Sequence, residues 1–177
     1  DIIILGISRT SKTPLSMYLS HQGWKVCNIP IIKGFEVPPE IQEADPKKIV
    51  FASVGKTEEE IAFAIKTGIL LFNVESEPEL VEINRVAKKM KKMVQAALRI
   101  NPDVPAPTHE YITTGSLKKK FGIDLRTTKA IFKSQKNYPN VKVNGVHIHI
   151  GSQITEGAPF VGALKKVVTF IEELRAE

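Results

Sequence analysis

Apolar residues gather into six short runs along the chain: "DIIIL" (1–5), "KVCNI" (25–29), "KIVFAS" (48–53), "ILLFNV" (69–74), "VQAALRI" (94–100) and "VNGVHIHI" (143–150). Within most of them the apolar positions are continuous rather than alternating, which is how strands read when both faces are covered. Amphipathic stretches separate most of the runs. Thr57 and Glu60 form a capping box ahead of "IAFAIKTG", where Ile61 and Ile65 share a face and Gly68 supplies a stop. Ser76 and Glu79 repeat the device before a helix whose Leu80, Ile83, Ala87 and Met90 make one stripe. The last helix, from about Pro159, is expected to turn Phe160, Leu164, Val167, Ile171 and Leu174 inward, with its charges opposite.

Strands alternating with helices describe repeated βα units, a parallel sheet and right-handed crossovers. The expected fold is a single α/β domain over residues 1–177, an open doubly wound sheet of about six βα units. A partial (β/α)8 barrel is the alternative, because six strands are two short of the eight that close such a barrel. Either form places ligands at the carboxyl ends of the strands. Residues 101–124, "NPDVPAPTHEYITTGSLKKKFGID", break the rhythm as a long Pro- and Gly-containing excursion at that edge. Long loops there commonly serve a site.

Composition narrows the function classes. With 42% hydrophobic and 25% charged residues the chain has enough apolar surface for one core and is not disordered. Its net charge of +6 is spread over "KKMKK" (88–92), "KKK" (118–120) and "KK" (165–166), with no aromatics between the lysines, so nucleic acid is not the expected partner. No apolar run approaches the ~20 residues of a membrane span, and no signal segment is visible, so a cytoplasmic protein is expected. The single cysteine, Cys27, excludes an intramolecular disulfide and is expected to be a buried, inert thiol. No histidine or cysteine has an acidic partner at metal-ligand spacing, so no metal is expected.

Two segments carry chemistry. "GISRTSKT" (6–13) has the outline of a phosphate loop with Ser11 where the second glycine belongs. Gly6, Ser8, Arg9, Thr10, Ser11, Lys12 and Thr13 would then surround a phosphate, sulfate or other small anion, with backbone N–H groups, the Lys12 charge and the Thr13 hydroxyl as donors. The plainer reading is a strand-to-helix turn with Pro14 early in the helix. "VGKT" (54–57) lacks the upstream glycine and reads as a helix cap. In "VHIHIGSQ", His149 is the functional candidate, while His147 is assigned to the opposite face of the strand as a core histidine. His109 and Tyr111 read as surface groups, and Glu75 as either a site carboxylate or part of an acidic helix start.

Residues 1 to about 49, through "ILGISRTSKTPLSMYLSHQGWKVCNIPII", resemble the regulatory proteins of pyruvate, phosphate dikinase and phosphoenolpyruvate synthase, an ADP-dependent kinase and phosphate-dependent phosphorylase family. From about Val50 the chain is similar to the diaminopimelate decarboxylases, through "IVFASVGKTEEEIAFAIKTGILLFNVESEPEL", "ALRINPDV", "THEYITTG", "KFGID" and "GVHIHIGSQI". That resemblance implies a barrel binding pyridoxal phosphate (PLP), with His149 against the cofactor ring, Gly151 and Ser152 near its phosphate, and Arg99 lining the pocket. The "AVKAN"-like motif carrying that family's cofactor lysine occurs nowhere in the sequence. Neither the later "GGG" loop nor the "E-x-G-R" segment is present.

The leading expectation is therefore an engineered chimera joined near residues 48–51, with no physiological reaction, no catalytic residues, no resident cofactor and weak anion binding. PLP, or phosphate or ADP, enters only through the resemblances, and assembly with further copies is allowed. The alternatives are a PLP-dependent diaminopimelate decarboxylase or a fragment of one, and a nucleotide- or phosphate-binding module.

Overall fold

Each of the six apolar runs forms a strand in the computed structural model, which describes residues 2–7, 12–31, 43–102, 122–149 and 157–176. Its contacts divide the chain into two units, Asp1–Ala44 and Asp45–Glu177. In the first, β1 (Ile2–Ile7) pairs in parallel with β2 (Val26–Ile31), and α1 (Lys12–His21) lies between them in sequence. Gly23, with φ of 88°, takes the left-handed conformation that lets the chain turn out of α1. Cys27 is exposed, not buried as the surrounding apolar residues suggest.

The second unit runs β3 (Val50–Ala52), α2 (Glu58–Thr67), β4 (Leu71–Val74), α3 (Glu77–Lys89), β5 (Val94–Ile100), α4 (Leu125–Lys133), β6 (Val141–Ile148) and α5 (Ala158–Ala176). All neighbouring strands are parallel, in the order β3-β4-β5-β6. The parallel α/β class is as expected. Sequential order without a reversal is also how consecutive strands succeed each other in a (β/α)8 barrel.

Local chemistry sets the helix ends. Thr57 caps α2 by accepting from the Glu60 N–H at 3.2 Å, while the Glu60 carboxylate accepts from the Thr57 N–H at 2.8 Å. Gly68, at φ of 78°, closes the helix. Thr57→Ala is expected to lose about 1 kcal/mol in urea denaturation, the usual worth of such a cap; an unchanged midpoint would show the reciprocal bonds to be dispensable.

Asp124 caps α4 through the Thr127 N–H at 2.9 Å. This helix follows the long excursion, and its few apolar positions, Leu125, Ile131 and Phe132, gave little periodic signal.

One core cluster joins Phe72 and Val74 of β4, Leu98 and Ile100 of β5, and Val141 and Val143 of β6 to Ile61 and Ile65 of α2 and Leu80 and Ile83 of α3. The stripes expected on α2 and α3 are therefore the buried ones. On α5 the buried line is instead Pro159, Ala163, Val167 and Phe170, while Phe160 and Leu164 are 48% and 57% exposed. Of the expected face, Val167 is buried and Ile171 and Leu174 pack against the core, while Pro159, Ala163 and Phe170 take the places expected of Phe160 and Leu164. No described helix is long and apolar enough to cross a membrane.

Candidate functional site at the strand ends

In parallel strands, side chains two residues apart share a face. Asn73 of β4 lies beside Ala97 of β5, which lies beside Gly145 of β6, and two residues on Arg99 lies beside His147. Glu75, Arg99, His147 and His149 thus come together on one face at the carboxyl edge. The Arg99 guanidinium donates from Nη1 to Glu75 Oε2 at 2.6 Å, with both side chains about nine-tenths buried.

A β-bulge makes this alignment. Ala96 pairs with Val143 but Ala97 pairs with Gly145, so Asn144 is an extra residue that reverses the parity of β6. Before it, Val141 and Val143 face the helices and fill the core; after it, His147 and His149 lie on the Arg99 face. Gly145 permits the close approach, since a Cβ there would stand 3.3 Å from the Ala97 Cβ. The assignment of His147 to the opposite face from His149 is corrected: residues two apart share a face, and the bulge decides which.

The far side of Arg99 is held as tightly. Its carbonyl accepts from the Ile123 N–H at 2.7 Å, and the Asn101 N–H donates to the Ile123 carbonyl at 2.9 Å. Gly122, at φ of 101°, makes this bridge: a Cβ would sit 3.0 Å from the Arg99 carbonyl oxygen.

Burial first, and the Arg99 guanidinium second, hold His147 below the ordinary imidazole value of 6.5, with Glu75 opposing. The same two causes lower His149. The buried His147 Nδ1 has no hydrogen-bond partner among the described residues. Both histidines are neutral near pH 7, and the unfolded chain binds protons more readily than the folded one. Their contribution to stability is therefore whole above pH 6.5 and declines as pH falls below it toward the lowered folded values. Histidine NMR titration should find both midpoints under the ordinary imidazole value of 6.5; a midpoint at or above it would contradict the burial.

Beside this cluster, Lys56 lies in the loop between β3 and α2, with a fully buried side chain. Its Nζ donates to the Ser53 carbonyl, the Asn73 carbonyl and Glu79 Oε1, each at 2.7 Å, and lies 5.4 Å from the Phe51 ring centroid. Glu79 was expected to complete a second capping box. Ser76 does accept from the Glu79 N–H at 3.3 Å, but the Glu79 carboxylate is drawn to Lys56 and to the Glu75 N–H, at 3.3 Å. The reading of "VGKT" as a cap found Thr57 and missed Lys56. One signal was available: a lysine directly before an N-cap opposes the helix dipole and calls for a carboxylate partner.

Of the expected site residues, Arg99 and His149 are brought together, joined by Glu75 and His147. Gly151, Ser152, His109 and Tyr111 lie outside the described residues, as do Ser8, Arg9, Thr10 and Ser11. Gly6 falls within β1, and Lys12 and Thr13 open α1.

Residues 39–177 match the family model described as pyridoxal-dependent decarboxylase, pyridoxal binding domain. Among curated relatives, diaminopimelate decarboxylase of Vibrio cholerae is 46% identical over 133 residues, covering 75% of this chain and 32% of its own length. That of Methanocaldococcus jannaschii is 40% identical over 154 residues, covering 85% and 35%. The chain thus spans about a third of the length of these relatives. A crystal structure of the Helicobacter pylori diaminopimelate decarboxylase complexed with L-lysine superposes with a TM-score of 0.71 at 32% identity, covering 99% of this chain and 44% of that one. Since the superposition runs through almost the whole chain, residues 1–49 fall within the same structural match. These comparisons give no support to a kinase regulatory segment there, or to a chimera of two families. Family model, sequence identity and structural match agree that this chain belongs to the pyridoxal-dependent decarboxylases, through their pyridoxal binding domain.

Proposed function

We propose that the chain is cofactor-binding scaffold of a PLP-dependent decarboxylase acting on diaminopimelate. The observation that carries this reading is the bulge-aligned cluster of Glu75, Arg99, His147 and His149 at the strand ends, within the matched residues. The family supports PLP as the cofactor, against the expectation of no resident one.

The donor set suits that group in part. The cluster offers a buried arginine–carboxylate pair, the buried His147 Nδ1 without a partner among the described residues, and an exposed imidazole, His149, at the rim. His149 would lie against the cofactor ring, Arg99 would line the pocket, and Gly151 and Ser152 would receive the phosphate. Covalent anchoring is not accounted for by the described lysine at these ends, because the three protons of Lys56 are committed to Ser53, Asn73 and Glu79. Bound PLP supplies the electron sink that lets a carboxylate leave an amino acid as CO₂.

The chain's own groups prepare that chemistry. Arg99 and Glu75 neutralise one another in a largely dry setting, which fixes both side chains and leaves little net charge at the pocket wall. His147, held neutral near pH 7, offers a hydrogen-bonding nitrogen without adding charge beside Arg99.

The test is incubation with PLP and borohydride, mapping of the modified lysine, and measurement of CO₂ released from diaminopimelate. Stoichiometric uptake with CO₂ release supports the decarboxylase. Uptake without release restricts the chain to a binding scaffold, and no uptake refutes the reading.

A further inference from the structure

Glu79 stands between the Lys56 carbonyl cluster and the Glu75–Arg99 pair. Its Oε1 accepts from Lys56 Nζ at 2.7 Å and from the Glu75 N–H at 3.3 Å. Glu75 carries the carboxylate that meets Arg99. Lys56 in turn gathers carbonyls from the ends of two adjacent strands, Ser53 after β3 and Asn73 within β4.

We propose that the buried Lys56–Glu79 ion pair is a positioning element for the Glu75–Arg99 pair, fixing the turn after β4 so that the Glu75 carboxylate reaches Arg99. The chain of contacts is continuous: strand-end carbonyls to Lys56, Lys56 to Glu79, Glu79 to the Glu75 backbone, Glu75 to Arg99. All three Lys56 protons are taken, so its role is geometric. Its significance for a reaction rests on the decarboxylase reading, but the geometry does not.

The electrostatics provide a readout that a purely stabilising pair would not move. Burial first, then Arg99, lower His149, and Glu75 opposes them. Its titration therefore senses the Glu75–Arg99 geometry.

Lys56→Met/Glu79→Met removes both charges together, an exchange that buried ion pairs often tolerate. Glu79→Gln keeps an oxygen acceptor for both Lys56 and the Glu75 N–H. Folding of each variant is checked by circular dichroism, and the histidines are titrated by NMR in the chain without added cofactor. In the double variant the His149 midpoint should move and exchange of the Arg99 Nη1 protons, which meet Glu75, should quicken. Glu79→Gln should keep the native His149 midpoint. An unmoved His149 in the folded double variant, or a shift in Glu79→Gln equal to that of the double variant, would overturn the proposal. Should the double variant not fold, Glu79→Gln decides alone: a native midpoint supports positioning through the hydrogen bonds, and a shifted one overturns it. Failure of PLP uptake in the native chain would refute the decarboxylase reading and leave this titration as decisive as before.

Discussion

Phe72→Ala is expected to cost about 3–5 kcal/mol of stability, the range for emptying a large buried aromatic site. Phe72 is 1% exposed, sits in the middle of the four-stranded sheet, and packs with its ring centroid 6.1 Å from that of Phe51. Its neighbours across the sheet are Phe51 on β3 and Ala96 on β5. Ala96 is too small to close the gap, so the cavity should persist. The urea midpoint should fall with little change in slope. A loss below about 1 kcal/mol would mean that the site collapses or that β4 is not central to the core.

Lys56→Met is expected to be comparably severe, about 3–5 kcal/mol, because it strands the Glu79 carboxylate without its cation. Two strand-end carbonyls, of Ser53 and Asn73, lose a donor at the same time. The companion expectation is asymmetric: adding Glu79→Met should recover most of the loss, since the pair's attraction and its desolvation then disappear together. Equal instability of the single and double variants would show that the Ser53 and Asn73 carbonyls, rather than the stranded charge, dominate the cost.

Much of this architecture was legible from residue patterns. Thr57 with Glu60 and Gly68 marked both ends of α2, because capping chemistry is local and needs only residues within a few positions. Ile61, Ile65, Leu80 and Ile83 pointed inward as their spacing required. Non-local decisions were not legible. Whether His147 faced the core or Arg99 depended on one extra residue, Asn144, and a bulge leaves no signature in a run such as "VKVNGVHI" beyond the glycine that permits it. Glu79 had two competing partners, and the sequence could not show that Lys56, brought close by folding, would displace the Ser76 N–H. On α5, Phe160 and Leu164 satisfied helical spacing as well as Ala163 and Phe170 did, and packing chose the latter. The phosphate-loop outline of "GISRTSKT" shows the opposite hazard: a short motif between a strand and a helix suggested a separate ancestry that the match across the whole chain does not support.

The central claim is that the strand ends of β4, β5 and β6 form the pocket of a pyridoxal binding domain. Equilibrium titration with PLP, followed by the cofactor's absorbance, addresses it most directly in the native chain and in His149→Ala and Arg99→Gln. Saturable uptake at one equivalent is expected, weakened about tenfold in each variant, equivalent to about 1.4 kcal/mol. Absence of saturable uptake, or equal affinity in all three proteins, would contradict the claim.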